Sequence, residues 1–415
     1  LGLDALVLDT AVGRERLDGS TDVALLLDPS VDISAMPDHL ILIGWVGNAP
    51  DRWLAWPRFD DLDVVLVADD AVRTRVEAAT AKAASAVPDL ATAPGAEAFR
   101  ATLERWLAAR HVAIHLAAPT WEAAAGWGDT PFARGVQRAF ERRGWPATVH
   151  VFAERDRPAA IRADLSLHLF GLRAPAVRPG QPTILWIISH PDLVRRELCL
   201  AYDLIGVASD PFLGYLREWL GPDCPPLLPL HQATDPDRFY PEAGAPPHHL
   251  LFVGSARDGR RPIIDDLAGT PHDLAVYGRR WAGSSLDPSH LRGDWIANDR
   301  LHQYYASAAI VLSDTWADMR DEGFVANRVY DVLASGGFVI SDDVVGIENE
   351  FDGAVPVYED RDELWRLIET YLADPAGRAT LAERGRRIVI ERHTFDVRID
   401  AMLAAIGRLR GSQGT

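Results

Sequence analysis

Short runs of apolar, β-branched residues alternate with helix-forming stretches over most of this chain, and most of the runs stop at a glycine or serine. Residues 111–116, 148–152, 165–170, 183–188, 204–208 and 227–230 form one series. Residues 249–253, 274–277, 310–312, 338–340 and 355–357 form a second. Runs that are apolar throughout predict strands buried on both faces, and strands separated by helices must pair in parallel. The expected class is therefore α/β with doubly wound parallel sheets. Between the two series, residues 230–247 are rich in Pro, Asp and Ala and read as a linker.

The 415 residues leave room for two or three domains. Residues 1–109 carry their own strand-like runs at 5–8, 23–27, 40–45 and 64–67, with helices after Asp70 and Ala96. Part of this segment echoes a later one. In both 41–70 and 184–210 a strand leads to a Pro-Asp pair, a helix and a second strand ending in an acidic turn. Residues 1–109 are thus expected to be a partial repeat of the domain at 110–245, either structural or an acceptor-side surface. The second series defines a domain at 246–395. In the last segment, 396–415, Ile399, Met402, Leu403 and Ile406 form one apolar stripe of a closing helix.

The formal charge of −18 argues against nucleic acid as a bulk electrostatic partner, since no long basic run offsets it. Cys199 and Cys224 are too few for a disulfide framework or a cysteine zinc site. No apolar run has the length of a membrane span, and no secretory signal opens the chain. A cytoplasmic location is the expectation. The chain starts at Leu1 rather than methionine, as a processed product or a piece of a longer protein would.

Residues 318–343 hold the densest chemistry. A short helix is expected to open near Val325, with Val329, Val332 and Leu333 on its buried face and Gly336-Gly337 as its end. Its start, from Gly323 to Ala326, would present unpaired N–H groups and a positive dipole end to an anion. One turn on, Asp331 has two readings. It accepts hydrogen bonds from a vicinal diol such as a ribose, or it forms a surface ion pair with Arg328. Arginines also recur where strands end, the place where open parallel sheets bind ligands. Gly254-Ser255-Ala256-Arg257 and Arg260-Arg261 follow one strand, Gly278-Arg279-Arg280 the next, Ser313-Asp314-Thr315-Trp316 and Arg320 another, and then come Asn327 and Arg328. Glycine lets backbone approach a phosphate, and guanidinium forks neutralise it. At another strand-to-helix loop, Gly126, Gly128, Asp129 and Thr130 precede a helix expected at 131–143.

Glu322-Gly323-Phe324 followed by Asp331-Val332-Leu333-Ala334-Ser335-Gly336 resembles the C-terminal signature of the GT-B glycosyltransferases of group 1. The family's gap between the two acids is one residue shorter, and its second acid is usually glutamate. Residues 276–281, 302–308 and 391–395 are similar to the CgeB-like, spore-maturation branch. The resemblance implies two Rossmann-like domains facing a cleft, here with an extra N-terminal α/β half-domain. It implies sugar transfer from a nucleotide donor without a metal, with retention. Gly254, Ser255, Arg257, Arg261, Gly278, Arg279, Gly323, Phe324, Val325, Asn327, Arg328 and Asp331 would hold the donor, and the Gly293-Asp294-Trp295-Ile296 turn would meet its base by backbone contacts. His190 stands where the family has a cleft histidine; capping of the helix that starts at Pro191 is its other reading. Glu322 and Asp129 are the remaining catalytic candidates.

Asp69-Asp70 and Asp342-Asp343 lack the intervening residue of a metal-binding DxD motif, whereas Asp61/Asp63, Asp235/Asp237 and Asp360/Asp362 have that spacing. No metal and no cofactor are expected, the nucleotide-diphosphate sugar being a substrate. No GxSxG or cysteine-histidine signature for hydrolysis is present. The acceptor stays open among glycan, lipid-linked, protein and small-molecule classes. An epimerase or hydrolase on the same architecture and a non-catalytic sugar-nucleotide-binding protein are the rival readings.

Overall fold

The computed structural model describes residues 5–8, 22–34, 36–80, 82–256 and 260–412, with side chains described at 22–34, 36–80, 82–256 and 260–409. Among these residues the strands form three sheets. The first contains β1 (Ala5–Leu8), β2 (Val23–Leu26), β3 (Ile41–Gly47), β4 (Val64–Val67) and β5 (Ser85–Ala86), all parallel and in sequence order. The second contains β6 (Val112–His115), β7 (Ala147–His150), β8 (Leu165–Phe170), β9 (Thr183–Ile187), β10 (Leu204–Val207) and β11 (Leu227–Pro229), in the order β11-β10-β9-β8-β6-β7. The third contains β12 (Leu250–Val253), β13 (Leu274–Tyr277), β14 (Leu291–Gly293), β15 (Ile310–Ser313), β16 (Val339–Asp342) and β17 (Val357–Tyr358), in the order β14-β13-β12-β15-β16-β17.

Strand order decides where a ligand can sit. In the third sheet it reverses between β12 and β15, and a crevice opens at such a switch point beyond the carboxyl ends of the strands. The second sheet has its own reversal between β6 and β8. The first sheet never reverses, so it has no switch point.

Two compact units emerge. One runs to Trp186 and takes in Ala201–Asp203; the other takes in Ile187–Leu200 and the described residues from Leu204 on. In the second unit, alternate residues of β12 supply two cores. Leu250 and Phe252 pack with Ile263, Ile264 and Leu364 on one face, while Leu251 packs with Val329, Tyr330 and Val389 on the other. Both faces are covered, which is why these strands read as unbroken apolar runs.

Five helices carry residues discussed below, α1 (Asp129–Glu141) in the first unit and α2 (Asp210–Leu220), α3 (Ala317–Asp321), α4 (Asn327–Ala334) and α5 (Phe395–Ser412) in the second. α4 starts at Asn327, two residues later than expected, because Phe324 and Val325 are buried in the core and Ala326 is extended. Gly336, at φ +73°, ends it as the sequence suggests. Strands β5 and β14 are absent from the sequence reading, since Ser85-Ala86 and Leu291-Arg292-Gly293 contain no apolar run. The 41–70 and 184–210 stretches share a local device: Asp63 accepts the Leu42 amide at 2.8 Å and Asp203 accepts the Thr183 amide at 2.8 Å. No helix among the described residues is long and apolar enough to cross a membrane.

One buried feature of the first unit sets an acid limit on stability. His115, His150 and His168 stand side by side on β6, β7 and β8, with ring centroids 5.5 and 4.8 Å apart. His168 bonds Tyr202 and Ser166 and His150 bonds Thr148, but neither nitrogen of His115 has a partner among the described residues. Burial holds all three neutral, pushing His150 down to about 4 and His168 to about 3, with His115 also well below its ordinary value. A histidine with a depressed folded pKa favours the folded state fully above about 6.5 and loses that contribution as pH falls toward the folded value. The slope is about 1.4 kcal/mol per pH unit for each histidine at most. Denaturant unfolding at pH 7 and pH 5 should show the loss, and His115→Leu should flatten it. An unchanged slope in that variant would remove His115 from the explanation.

Candidate functional site

Gly254 follows β12 at the switch point, and its amide donates to the Tyr277 carbonyl at 2.8 Å. A Cβ placed there would lie 3.0 Å from a guanidinium nitrogen of Arg261 and 3.0 Å from one of Arg328. Two arginines from different elements therefore converge on a backbone with no side chain. Both guanidinium groups lie over the Phe252 ring, at 5.3 and 4.9 Å. Two like charges this close need a counterion, and Asp314 at the end of β15 is it. Arg261 Nη1 donates to Asp314 Oδ1 at 2.8 Å, and Arg328 Nη1 approaches the same oxygen at 3.9 Å. Arg261 Nε is fixed on the Ser255 carbonyl at 3.0 Å. Burial, against the pull of Asp314, lowers Arg261 to about 10, so it remains a cation at neutral pH.

Gly278 is fixed by closer contact still. A Cβ there would sit 2.1 Å from the Gly254 carbonyl oxygen, so no other residue fits without moving the loop. The Arg279 amide donates to Ser255 Oγ at 3.1 Å, while the Arg279 side chain is exposed. Gly254, Ser255, Gly278, Arg261 and Arg328 thus form one surface. Arg257, expected beside them, lies outside the described residues. Trp295 and Ile296 follow the edge strand β14; Trp295 is 63% exposed and Ile296 half-buried.

The start of α4 departs from expectation in one respect. The Gly323 and Phe324 amides are already paired, with the carbonyls of Arg320 and Met319 at 3.2 and 2.8 Å. The end of α3 uses them, so the donor-rich end is confined to Val325, Ala326 and the first turn of α4. Ala326, the N-cap, has no side chain to close it. Gly323 has φ +76°, and a Cβ there would meet the Val345 carbonyl at 2.8 Å. Phe324 is fully buried against Phe212, so its side chain faces the core.

Asp331 makes no surface ion pair. Its carboxylate is buried, accepting from Thr234 Oγ1 at 2.7 Å and Asn327 Nδ2 at 2.8 Å. Burial pushes its pKa up to about 8 against both hydrogen bonds, and nearby Asp235 raises it further. The oxygen of the Asn327 amide has no partner among the described residues.

His190 sits at φ 53°, ψ 58°, left-handed backbone that side chains other than glycine seldom adopt. Its side chain does not cap the turn at Pro191–Leu193. Instead Nδ1 lies 3.0 Å from Ser189 Oγ, and the ring is 6.3 Å from that of Trp316, next in line after Asp314 and Thr315. Strained backbone that directs a side chain is a mark of a functional site. Replacing His190 by glycine is expected to raise stability by about 1 kcal/mol, because the strain goes. Turnover should nevertheless fall if the imidazole serves the reaction. Unfolding curves and rates on the same variant check this, and unchanged turnover would make His190 a structural residue. Glu322, half-buried at the end of α3, lines a pocket with Asp318 and Trp219. Asp129 opens α1 in the first unit.

The acid pairs with DxD spacing do local structural work. Asp63 holds the Leu42 amide, Asp235 accepts the Asp237 amide at 3.3 Å, and Asp360 caps the helix that begins at Arg361. Asp342 accepts the Thr315 amide and hydroxyl at 2.8 and 3.1 Å. Among the described residues, one cluster has three donors at metal-ligand separation: His231, Glu350 and His393. The cation at that place is already an arginine. Arg398 Nη2 is 2.6 Å from His393 Nδ1 and is anchored on the carbonyls of His231 and Gln232. A second positive charge there would be repelled.

Thr234 is absent from the sequence reading, and Asp314, named there among the strand-end residues, was given no role. Asp314 had a signal, since it follows a strand of the third sheet. Thr234 had none, being 97 positions from the carboxylate it contacts.

Comparison with known proteins bears on the fold and on the family pattern of the third-sheet region. Residues 257–404 match a family model described as glycosyl transferase-like. No curated protein matches the chain. Among solved structures, sucrose-phosphate synthase from Thermosynechococcus elongatus superposes with a TM-score of 0.54 at 15% identity, over 73% of this chain and 100% of that one. AviGT4, a glycosyltransferase involved in avilamycin A biosynthesis, gives 0.50 at 18% identity, over 73% and 98%. Anabaena HepE in complex with UDP-glucose gives 0.50 at 11% identity, over 71% and 99%. Likeness at these identities concerns the fold. The described chain has the mixed α/β, parallel-sheet fold of the GT-B glycosyltransferases, and its residues 257–404 carry the glycosyl transferase-like family pattern.

Proposed function

We propose that this protein is a glycosyltransferase of the group 1 kind that moves a hexosyl group from a nucleotide-diphosphate sugar to an acceptor hydroxyl, without a metal and with retention. The observation that carries this reading is the convergence of Arg261 and Arg328 on the bare backbone of Gly254, at the switch point of a parallel sheet. As the bond from the anomeric carbon to the diphosphate breaks, negative charge grows on the departing phosphate. Two preorganised guanidinium groups in a dry setting stabilise that charge, which is the part a metal ion takes elsewhere. The first turn of α4 adds a helix dipole. On this reading Asp331, with Asn327 beside it, faces the ribose, and Trp295 and Ile296 flank the base. His190 and Glu322 serve the sugar being transferred, and Asp129 is a further acid-base candidate from the first unit. Retention and the CgeB-like branch rest on the sequence resemblance.

A thermal-shift screen against UDP-, GDP-, dTDP- and ADP-sugars, with and without EDTA, tests the reading. UDP-glucose is the first donor to try, because HepE was solved with it. A shift that survives EDTA, followed by acceptor-dependent loss of donor and an equatorial anomeric proton signal in the product of an α-donor, is the expected result. Donor epimerised or hydrolysed with no acceptor present would favour the rival enzymes. No shift with any nucleotide sugar would end the proposal.

A further inference from the structure

We propose that the pocket bounded by the Pro191–Leu193 turn, α2 and α3 is a saccharide site, and that it takes an uncharged or amine-bearing sugar ring rather than an anionic one. Calling that sugar the acceptor rests on the transferase reading; the pocket's chemistry does not. The cavity measures about 430 Å³, within the range of small-ligand sites. One wall is a line of aromatics on α2. Phe212, Tyr215 and Trp219 fall at i, i+3 and i+7, on one face of the helix.

Phe212 is buried, but Tyr215 and Trp219 are 50% and 37% exposed, with their rings 5.8 Å apart and within 15° of parallel. Two large rings left open side by side form a flat apolar shelf, and such shelves mark binding surfaces. A pyranose is built to cover one. Its axial C–H bonds make an apolar face, and its equatorial hydroxyls point outward around the rim.

The rim here is made of acceptors. Asp318 and Glu322 come from α3 and its end, and Asp192 from the turn. Ionised carboxylates accept hydroxyl hydrogen bonds strongly. Asp321, also on the wall, is paired with Arg320 at 3.2 Å. The one guanidinium on the wall, Arg195, turns to its own loop and donates to the Asp192 and Val194 carbonyls at 2.7 and 3.0 Å. Carboxylates therefore outnumber cations at the rim, which repels phosphorylated sugars and uronates and attracts an ammonium group. The pocket also abuts the proposed reaction centre. Pro191 follows His190, and the Glu322 carbonyl is held by Ser209 Oγ at 2.5 Å just before Gly323.

The test uses the full chain and three probes: a neutral N-acetylglucosamine tetramer, its de-acetylated glucosamine counterpart, and a tetramer of glucuronate. Saturation-transfer NMR and titration calorimetry read binding, while thermal shift with UDP-glucose reads the donor side separately. The neutral and amine-bearing tetramers are expected to bind and the glucuronate not. Trp219→Ala and Tyr215→Ala should each weaken binding at least tenfold, and Trp219→Phe should recover most of it. Asp318→Asn should weaken the glucosamine tetramer more than the neutral one. Both rings are surface residues, so unchanged melting temperatures should accompany these losses. Glucuronate binding as well as glucosamine would overturn the charge argument and the proposal with it. Donor binding by a protein that binds none of the tetramers would overturn the pocket alone. Tetramer binding without any response to nucleotide sugars would support the pocket and remove the transferase reading.

Discussion

Arg261→Ala is expected to lower kcat/KM by about a hundredfold, the order found when one preorganised charge-stabilising donor is removed. The reason is positional. Arg261 is buried, triply anchored on Ser255, Asp314 and the Phe252 face, and aimed at the Gly254 backbone where Arg328 also points. Its substitution has a second effect. Asp314 loses its main partner while remaining 5% exposed, and a buried charge left without its counterion destabilises by about 3–5 kcal/mol. The two effects can be separated. Arg261→Met with Asp314→Asn removes the charge pair together, and stability should return toward that of the parent while kcat/KM stays low. Arg261→Lys keeps the charge but cannot fork to Ser255 and Asp314 at once, so it should recover only part of the activity. If the double variant regained activity along with stability, Arg261 would be a structural residue and the phosphate site would have to lie elsewhere.

The gathering of residues at strand ends was legible because a doubly wound sheet fixes in advance where its loops converge. Gly254, Ser255, Gly278 and Arg261 could be picked out from the loops that succeed each apolar run, and they do share one surface. What sequence cannot show is pairing across distance. Asp314 stands 53 positions from Arg261 and looks like one more acid in an acidic chain until the fold brings them to 2.8 Å. The amides of Gly323 and Phe324 looked free because the signature places them before a helix. In the fold the end of α3 claims both, a local closure that no periodicity announces. Strands β5 and β14 escaped for a plainer reason: a two- or three-residue edge strand is held by backbone pairing and needs no apolar pattern. The other four strands of the first sheet were readable one by one, yet their strictly sequential order was not, since pattern predicts elements and not their neighbours.

Asp331→Asn is expected to stabilise the protein at pH 8 and at the same time weaken the nucleotide sugar at least tenfold. Burial raises the folded pKa of Asp331 to about 8 from an ordinary 3.8. The folded chain therefore holds that proton more tightly than the unfolded chain does. Between pH 3.8 and 8 the folded state binds more protons, so the contribution of this group to stability falls as pH rises through that window. At pH 8 the parent bears a cost of a few kcal/mol, about 2–3 once relaxation is allowed for, and at pH 4 almost none. An asparagine bears no such cost at either pH. The site can accept it: the Asn327 amide can turn its unpartnered oxygen toward a new amide donor while Thr234 keeps its bond. Melting temperatures of parent and variant should thus coincide near pH 4 and separate as pH rises. A protein that keeps an acid where an amide would be more stable is using the acid, and the proposed use is two hydrogen bonds to a ribose. Calorimetry with UDP-glucose at pH 8 supplies the other half. If the variant were no more stable than the parent there, the buried carboxylate would be well solvated by its partners and no cost would need explaining. If its affinity were unchanged, Asp331 would belong to the packing of α4 against the Thr234 segment, and the ribose would be held by another group.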